Sequence, residues 1–211
     1  MDKALILAGG NIAKKDLVKA YIDETTDIIC VDRGCDFAQK NKLNISIAIG
    51  DFDSIDSKVY DQIKNSNVKK LTFNKDKDQT DMQLALEYCA KKGYEIIYLF
   101  GGLGTRMDHS MANIYFLYKF RDDFKEFKII DDTNRIFLIK NQCEIKNKQS
   151  YNLSFMIASN NPIITITGVK WPLYSHKMVL GDSLTISNEI IEDKAFVKVE
   201  NGLVFCFLSK D

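Results

Sequence analysis

One change of hydrophobic period limits the folds open to this chain. From residue 4 to about residue 131, short apolar runs alternate with polar stretches of helical character. The runs at 4–8, 27–31, 45–49, 68–73, 95–100 and 127–131 are apolar along nearly their whole length, as strands of a parallel sheet covered on both faces must be. Beyond about Arg135 the runs at 136–140, 151–158, 163–167, 195–200 and 203–208 follow a period of two, and no helix is evident. These patterns predict an α/β domain with a mostly parallel sheet over residues 1–134, followed by an all-β antiparallel sandwich over 135–211. Between the last two runs, Asn201-Gly202 predicts a hairpin, because both residues tolerate positive φ.

Within the first half, a polar helical stretch is expected over 14–23. Thr80-Asp81-Met82-Gln83 reads as a capping box, with Leu84, Ala85, Tyr88 and Cys89 as the apolar face and Gly93 as the stop. A further helix opens near Asp108, is expected to bury Met111, Ile114, Tyr115 and Tyr118, and ends near Phe120.

Composition removes several classes of function. Lys plus Arg and Asp plus Glu each number 29, so the formal charge is zero, without the basic excess of a general nucleic-acid or anionic-membrane binder. No stretch approaches eighteen consecutive apolar residues, so neither a membrane span nor a secretory leader is expected and the location predicted is cytoplasmic. The five cysteines form no C-x-x-C pair and suit reduced thiols.

In parallel α/β sheets ligands bind beyond the carboxyl ends of the strands. The residues there are Gly9-Gly10, Asp32-Arg33-Gly34, Gly50-Asp51-Phe52-Asp53-Ser54, Lys77-Asp78-Gln79-Thr80-Asp81 and the stretch from Gly101 to His109. If the chain stays extended after the third strand, Asp51 and Asp53 point to one side and can share a cation. Asp78 and Asp81 bracket a helix start. Four converging carboxylates without a balancing basic cluster call for a hard cation, Mg²⁺ or Ca²⁺, and beside a nucleotide Mg²⁺ is the better fit. Each aspartate taken singly also reads as a turn former or helix cap. Gly101-Gly102-Leu103-Gly104-Thr105-Arg106 offers a backbone that phosphate can approach and a guanidinium fork beside it. It is neither a P-loop nor a dinucleotide fingerprint, since Met107 stands where the third glycine belongs. For Asp108, N-capping and a substrate contact are equally open; a structural hydrogen bond is the expectation for His109. No Gly-x-Ser-x-Gly elbow and no Cys beside a His supports nucleophilic hydrolysis.

In combination and in this order, Asp32-x-Gly34, Gly50-Asp51-Phe52-Asp53-Ser54, Lys77-Asp78-x-Thr80-Asp81 and Gly101-Gly102-x-Gly104-x-Arg106-x-Asp108-His109 resemble the thiamin pyrophosphokinases. Gly168-Val169-Lys170-Trp171-Pro172-Leu173 and Ser187-Asn188-Glu189 look like that family's C-terminal signatures, so the resemblance spans nearly the whole chain. It implies an ATP-binding catalytic domain, a thiamin-binding β-sandwich, and a homodimer whose thiamin sites lie between subunits. The implied reaction gives thiamin diphosphate and AMP from thiamin and ATP. Asp51, Asp53 and Asp81 would hold Mg²⁺, with Asp78 and Thr80 beside them. Asp32, Gly34, Gly102 and Arg106 would meet the nucleotide, and Ser187 and Asn188 the thiamin. Asp108 would orient the attacking hydroxyl, and Trp171 is placed either near the substrate or in the sandwich core. Two departures from the family pattern stand out: Asp32-Arg33-Gly34-Cys35 where Asp-Gly-Gly-Ala is usual, and Leu103 and Thr105 inside the glycine-rich stretch. The alternatives are diphosphate transfer to another alcohol, such as a hydroxymethyl-pterin, and a non-catalytic nucleotide or thiamin sensor.

Overall fold

Residues Ala4 to Leu7 are all fully buried, so the first strand, β1 (Lys3–Leu7), is covered on both faces as its unbroken apolar run requires. The computed structural model describes residues 2–72, 79–147 and 150–211. It divides the chain into two units, Met1–Asp132 and Thr133–Asp211. In the first unit, β2 (Thr26–Val31), β3 (Ile47–Ile49), β4 (Lys69–Leu71), β5 (Ile96–Phe100) and β6 (Glu126–Ile130) join β1 in a parallel sheet of order β4-β3-β2-β1-β5-β6. The described part of the fourth predicted strand is shorter than expected, and its last residue, Phe73, lies outside the described residues.

Among the described residues five helices connect these strands: α1 (Lys15–Lys19), α2 (Gly34–Lys40), α3 (Ser57–Lys64), α4 (Asp81–Lys92) and α5 (Met107–Lys119). The first is half the length expected from the 14–23 stretch, because the Asp23 carboxylate accepts from Thr25 and Thr26 and turns the chain into β2. At the start of α4 the Thr80 hydroxyl accepts from the Gln83 N–H at 3.2 Å, and Gly93 ends the helix with φ 80°. The Gln83 amide does not complete a capping box; it donates to Glu87 at 2.8 Å. The face that α4 buries is Met82, Ala85, Leu86 and Cys89, one step round from the expected one. A larger correction concerns α5, which buries Ser110, Asn113, Phe116 and Leu117 while Met111 and Tyr115 are exposed. Its two candidate faces are similarly apolar in sequence, and hydrogen bonds to a neighbouring loop decide between them.

Helix α2 starts hard against the sheet. A Cβ on Gly34 would stand 1.9 Å from the Leu7 carbonyl oxygen, so no side chain fits there. Gly34→Ala is therefore expected to destabilise the protein by about 2–4 kcal/mol, read from the urea midpoint at constant slope. An unchanged midpoint would show that α2 can shift away from β1.

In the second unit every strand pairing among the described residues is antiparallel. The strands are β7 (Asn134–Ile139), β8 (Gln142–Lys146), β9 (Asn152–Thr167), β10 (Leu173–Lys177), β11 (Asn188–Glu189) and β12 (Lys194–Ser209). The expected hairpin at Asn201-Gly202 does not exist. Asn201 does take positive φ, 56°, but the residue serves a β-bulge, where the register shifts between Glu200 and Gly202, and the chain continues along the same partner strand. Asn160, with φ 53°, lies opposite Gly202, so β9 and β12 bend together. Before the bend β12 pairs with β8, and after it with β7. Leu153, Phe155, Ile164, Ile166, Val197, Val199, Val204 and Cys206, from both sides of the bend, share one core. The two long strands thus fold over onto themselves to make the two layers of the β unit.

Among the described residues no helix is long and apolar enough to cross a membrane. All five cysteines are free thiols, and burial pushes those of Cys30 and Cys89 up in pKa.

Candidate active site

The strand order reverses direction of growth between β1 and β5, and in parallel α/β sheets it is beyond the carboxyl ends at such a point that ligands bind. The loops there are bound to each other. Gly10 N–H donates to the Gly101 carbonyl at 3.0 Å and Asn11 N–H to the Leu103 carbonyl at 2.7 Å. A Cβ on Gly10 would lie 2.3 Å from the Leu103 oxygen, and one on Gly101, at φ 71°, would lie 2.4 Å from the Ala8 oxygen. Loop packing therefore requires glycine at both positions, of which Gly101 begins the stretch expected to let phosphate approach. Gly102 is buried, and its carbonyl accepts from the Asn113 amide at 2.6 Å.

This rail ends at Arg106, which stands at the N-cap position of α5. Its guanidinium grips Asp108 through two contacts, Nε to Oδ1 at 3.2 Å and a second nitrogen to Oδ2 at 2.6 Å. Both side chains are open to solvent, at 70% and 64% exposure, so the pair is available to a ligand. Arg106 holds the Asp108 carboxyl down at about 2, from an ordinary 3.8, so Asp108 is ionised at neutral pH. Asp108 lies in the first turn of α5 rather than at the cap, and the helix dipole favours its charge there.

Beyond β2 and β3 the backbone is tightly constrained. Asp32 has φ 47°, Gly50 φ 140° and Phe52 φ 62°, values that side-chain-bearing residues rarely adopt. Asp32 N–H donates to the Ile49 carbonyl at 3.1 Å, and a Cβ on Gly50 would stand 2.0 Å from the Asp32 Oδ1. The Asp32 carboxylate thus lies over Gly50, next in sequence to Asp51. The expected extension from Asp51 to Asp53 fails, because buried Phe52 turns the chain between them and packs 6.0 Å from the Tyr60 ring. Asp51 Oδ1 instead accepts from the Asp53 N–H at 3.1 Å. Asp53 is exposed and Asp51 partly so.

Thr80 and Asp81 open α4, whose start lies at the same carboxyl edge because the helix follows β4 and leads back to the parallel strand β5. Asp78 and Lys77 lie outside the described residues. Among the described residues no three His, Cys, Asp or Glu side chains gather closely enough to hold a metal. The donors fit Mg²⁺ in kind, being accessible carboxylate oxygens on a preformed turn and a helix N-terminus, with no nitrogen or sulfur among them.

In the β unit, Ser187 is exposed in a left-handed turn with φ 59°, and its N–H donates to the Ser154 hydroxyl at 2.9 Å. Asn188 is not a surface contact. It is 5% exposed, and its amide is engaged with Trp171: Nδ2 donates to the Trp171 carbonyl at 2.7 Å, and Oδ1 accepts from the Trp171 N–H at 3.1 Å and its own neighbour's, Glu189 N–H, at 2.9 Å. Trp171 itself is 53% exposed, so it lies outside the sandwich core. Lys170 stands 4.7 Å over its ring and is paired to Glu189 at 2.9 Å. Because Trp171 is the chain's single tryptophan, its fluorescence reports this corner alone. Asn188→Leu is expected to shift the emission maximum and raise its quenching by iodide about twofold, since a released segment loses its fixed environment. An unchanged spectrum would show that Trp171 is held without Asn188.

Sequence reading missed Ser110 and Asn113, the buried polar residues of α5 that bind the glycine-rich loop. The only available signal was their placement three apart within an otherwise apolar helix.

The family model for the thiamin pyrophosphokinase catalytic domain matches residues 18–130, and that for the thiamin pyrophosphokinase vitamin B1 binding domain matches residues 142–204. The chain is 32% identical over 212 residues to a thiamine pyrophosphokinase of Bacillus subtilis, with 98% of each chain covered. Among solved structures it is similar to thiamine pyrophosphokinase from Bacillus subtilis, with a TM-score of 0.89 at 31% identity over 99% of this chain and 100% of that one. It is also similar to thiamin pyrophosphokinase from Geobacillus thermodenitrificans, with a TM-score of 0.87 at 27% identity, over 100% and 98% of the two chains. On the sequence, the fold and the edge-of-sheet acidic residues together, the chain belongs to the thiamin pyrophosphokinase family.

Proposed function

We propose that the protein transfers diphosphate from ATP to the hydroxyl of thiamin, releasing AMP. The observation that carries this reading is the carboxyl edge of the parallel sheet, where Asp32 lies over Gly50 beside the Asp51–Asp53 turn, in a chain matched by both family models. In the reaction the thiamin hydroxyl oxygen attacks the β-phosphorus, and the bond from that phosphorus to the oxygen it shares with the α-phosphate breaks. The hydroxyl proton passes to solvent and AMP departs with the bridging oxygen.

Arg106 binds phosphate oxygens, exchanging its contact with Asp108 for a polyanion of higher charge. Asp108, thereby released, accepts a hydrogen bond from the thiamin hydroxyl and aims it. A carboxyl held near 2 is too weak a base to take an alcohol proton early, so orientation is its role. Asp51, Asp53 and Asp81, which do not form a closed cage by themselves, would hold Mg²⁺ together with phosphate oxygens of ATP, with Asp78 and Thr80 supporting them. When bound, the ion neutralises charge developing on the phosphates. Asp32, Gly34 and Gly102 line the nucleotide side, while Ser187 and the Trp171 ring, steadied by Asn188, meet thiamin.

A homodimer is part of this reading. The β unit exposes Trp171, Tyr174, Val179, Leu180, Leu184, Ile186 and Ile191, with Leu180 at 83%, large apolar side chains that a second copy of the chain would cover.

Excess EDTA is expected to abolish turnover and Mg²⁺ to restore it, with the fold retained by circular dichroism, because the ion serves the reaction and not the core. Under those conditions thiamin should be consumed and 6-hydroxymethyl-dihydropterin should not. Consumption of the pterin in its place would establish the other alcohol as substrate, and ATP binding without consumption of either would establish a sensor.

A further inference from the structure

Ser110 and Asn113 are buried in α5 without belonging to the acidic cluster. Both are weaker helix formers than alanine, and burying them is unfavourable unless their polar atoms are bonded. They face the segment from Gly101 to Arg106, whose main chain is gripped from two sides in alternation. The loop after β1 takes the carbonyls of Gly101 and Leu103. Helix α5 takes the Gly102 carbonyl through Asn113 at 2.6 Å and the Gly104 N–H through the Ser110 hydroxyl at 3.0 Å. The Ser110 hydroxyl proton is shared between the carbonyls of Arg106 at 3.1 Å and Gly104 at 3.3 Å. A bond from a helical serine to the carbonyl four residues back is ordinary. Acceptance from Gly104, six residues back and outside the helix, is not.

We propose that Ser110 and Asn113 are positioning residues for Arg106. They fix the two residues' length of chain from Gly104 to the N-cap of α5, and with it the point from which the guanidinium is presented to the phosphate chain. The inference rests on the assignment of Arg106 to phosphate oxygens. Neither residue touches substrate; each acts through the backbone that carries Arg106.

The test is a set of steady-state and melting measurements on Ser110→Ala, Asn113→Ala, Ser110→Thr, Arg106→Ala and the Ser110→Ala/Arg106→Ala double variant. Ser110→Ala and Asn113→Ala should each raise KM for ATP about tenfold, the scale of one lost hydrogen bond in a positioned loop, with KM for thiamin within about twofold of wild type. Ser110→Thr, which keeps the hydroxyl, should restore KM for ATP. With Arg106 already replaced, Ser110→Ala should add no further increase, because its effect passes through that side chain. If Arg106→Ala raises KM for ATP and the two helix variants do not, or if Ser110→Ala acts equally with Arg106 absent, the positioning role is overturned and the phosphate assignment stands. If Arg106→Ala leaves KM for ATP unchanged, the phosphate assignment fails and the proposal with it. Should Ser110→Ala melt below the assay temperature, Asn113→Ala takes its place in the same double-variant cycle.

Discussion

Asp51→Asn and Asp81→Asn are each expected to lower turnover by about a hundredfold or more while leaving the melting temperature within a few degrees of wild type. The two residues occupy different local settings. Asp51 accepts from the Asp53 N–H in the turn after β3, and asparagine can keep that bond through its carbonyl oxygen. Asp81 sits in the first turn of α4, where the cap itself is Thr80. Both carboxylates are only partly buried and asparagine matches aspartate in size, so the core should be spared. What both remove is charge, and the reaction separates a phosphate chain that carries several negative charges. Loss of a charge contact that strengthens as the bond breaks should appear in kcat, with ATP saturating. Near-normal turnover in both variants would remove the metal assignment.

The second large effect concerns assembly. In the dimer proposed here each site takes Asp81 from one subunit and Trp171 from the other. An Asp81→Ala homodimer and a Trp171→Ala homodimer would each be impaired at both sites, because every site contains one defective contribution. After dissociation, mixing and reassociation, heterodimers should hold one site with both lesions and one with neither. Activity should reappear, approaching about half of wild type per heterodimer if the sites act independently. Trp171 suits the experiment because its ring is largely outside the core, so its removal should spare the fold. If each site were built within one subunit, mixing would restore nothing even with heterodimer formation verified by native mass spectrometry.

The parallel sheet was legible in the sequence because its strands are buried on both faces, and an unbroken apolar run bounded by Gly or Asp is a strong local signal. Helices α2 and α3 were not resolved as elements. Only Gly34, Cys35 and Ala38 are buried in α2 and only Ile63 in α3, too few to set a clear period. In the β unit the dipeptide Asn201-Gly202 reported positive φ correctly at Asn201, not at Gly202, and the direction of the chain wrongly. A bulge needs positive φ at one residue where a two-residue Asn-Gly hairpin needs it at both, and the pairing of β12 with β9 on both sides of Asn201 shows that the chain runs on. The face of α5 was misassigned for a related reason: Met111 and Tyr115 are as apolar as Phe116 and Leu117, and hydrogen bonds from Ser110 and Asn113 to the loop after β5 select the buried face.

Placement at the carboxyl edge of the sheet was legible where a charged residue closely follows an apolar strand, as for Asp51, Asp53, Arg106 and Asp108. Their geometry was not. Two aspartates two apart share a side only in extended chain, and the positive φ of Phe52 could not be read from a phenylalanine. Asn188 shows what a signature leaves unread: its amide is bonded to the Trp171 backbone, so the thiamin role expected for it would pass through Trp171.

The central claim is the transfer of a diphosphate unit, and the products of one incubation test it. Wild-type protein with Mg²⁺, thiamin and ATP labelled with ¹⁸O at the bridge between the α- and β-phosphorus should yield thiamin diphosphate and AMP in equal amounts. The bridging label should be found in AMP, because the bond to the β-phosphorus is the one that breaks. ADP with thiamin monophosphate, or label retained in the thiamin product, would contradict the account.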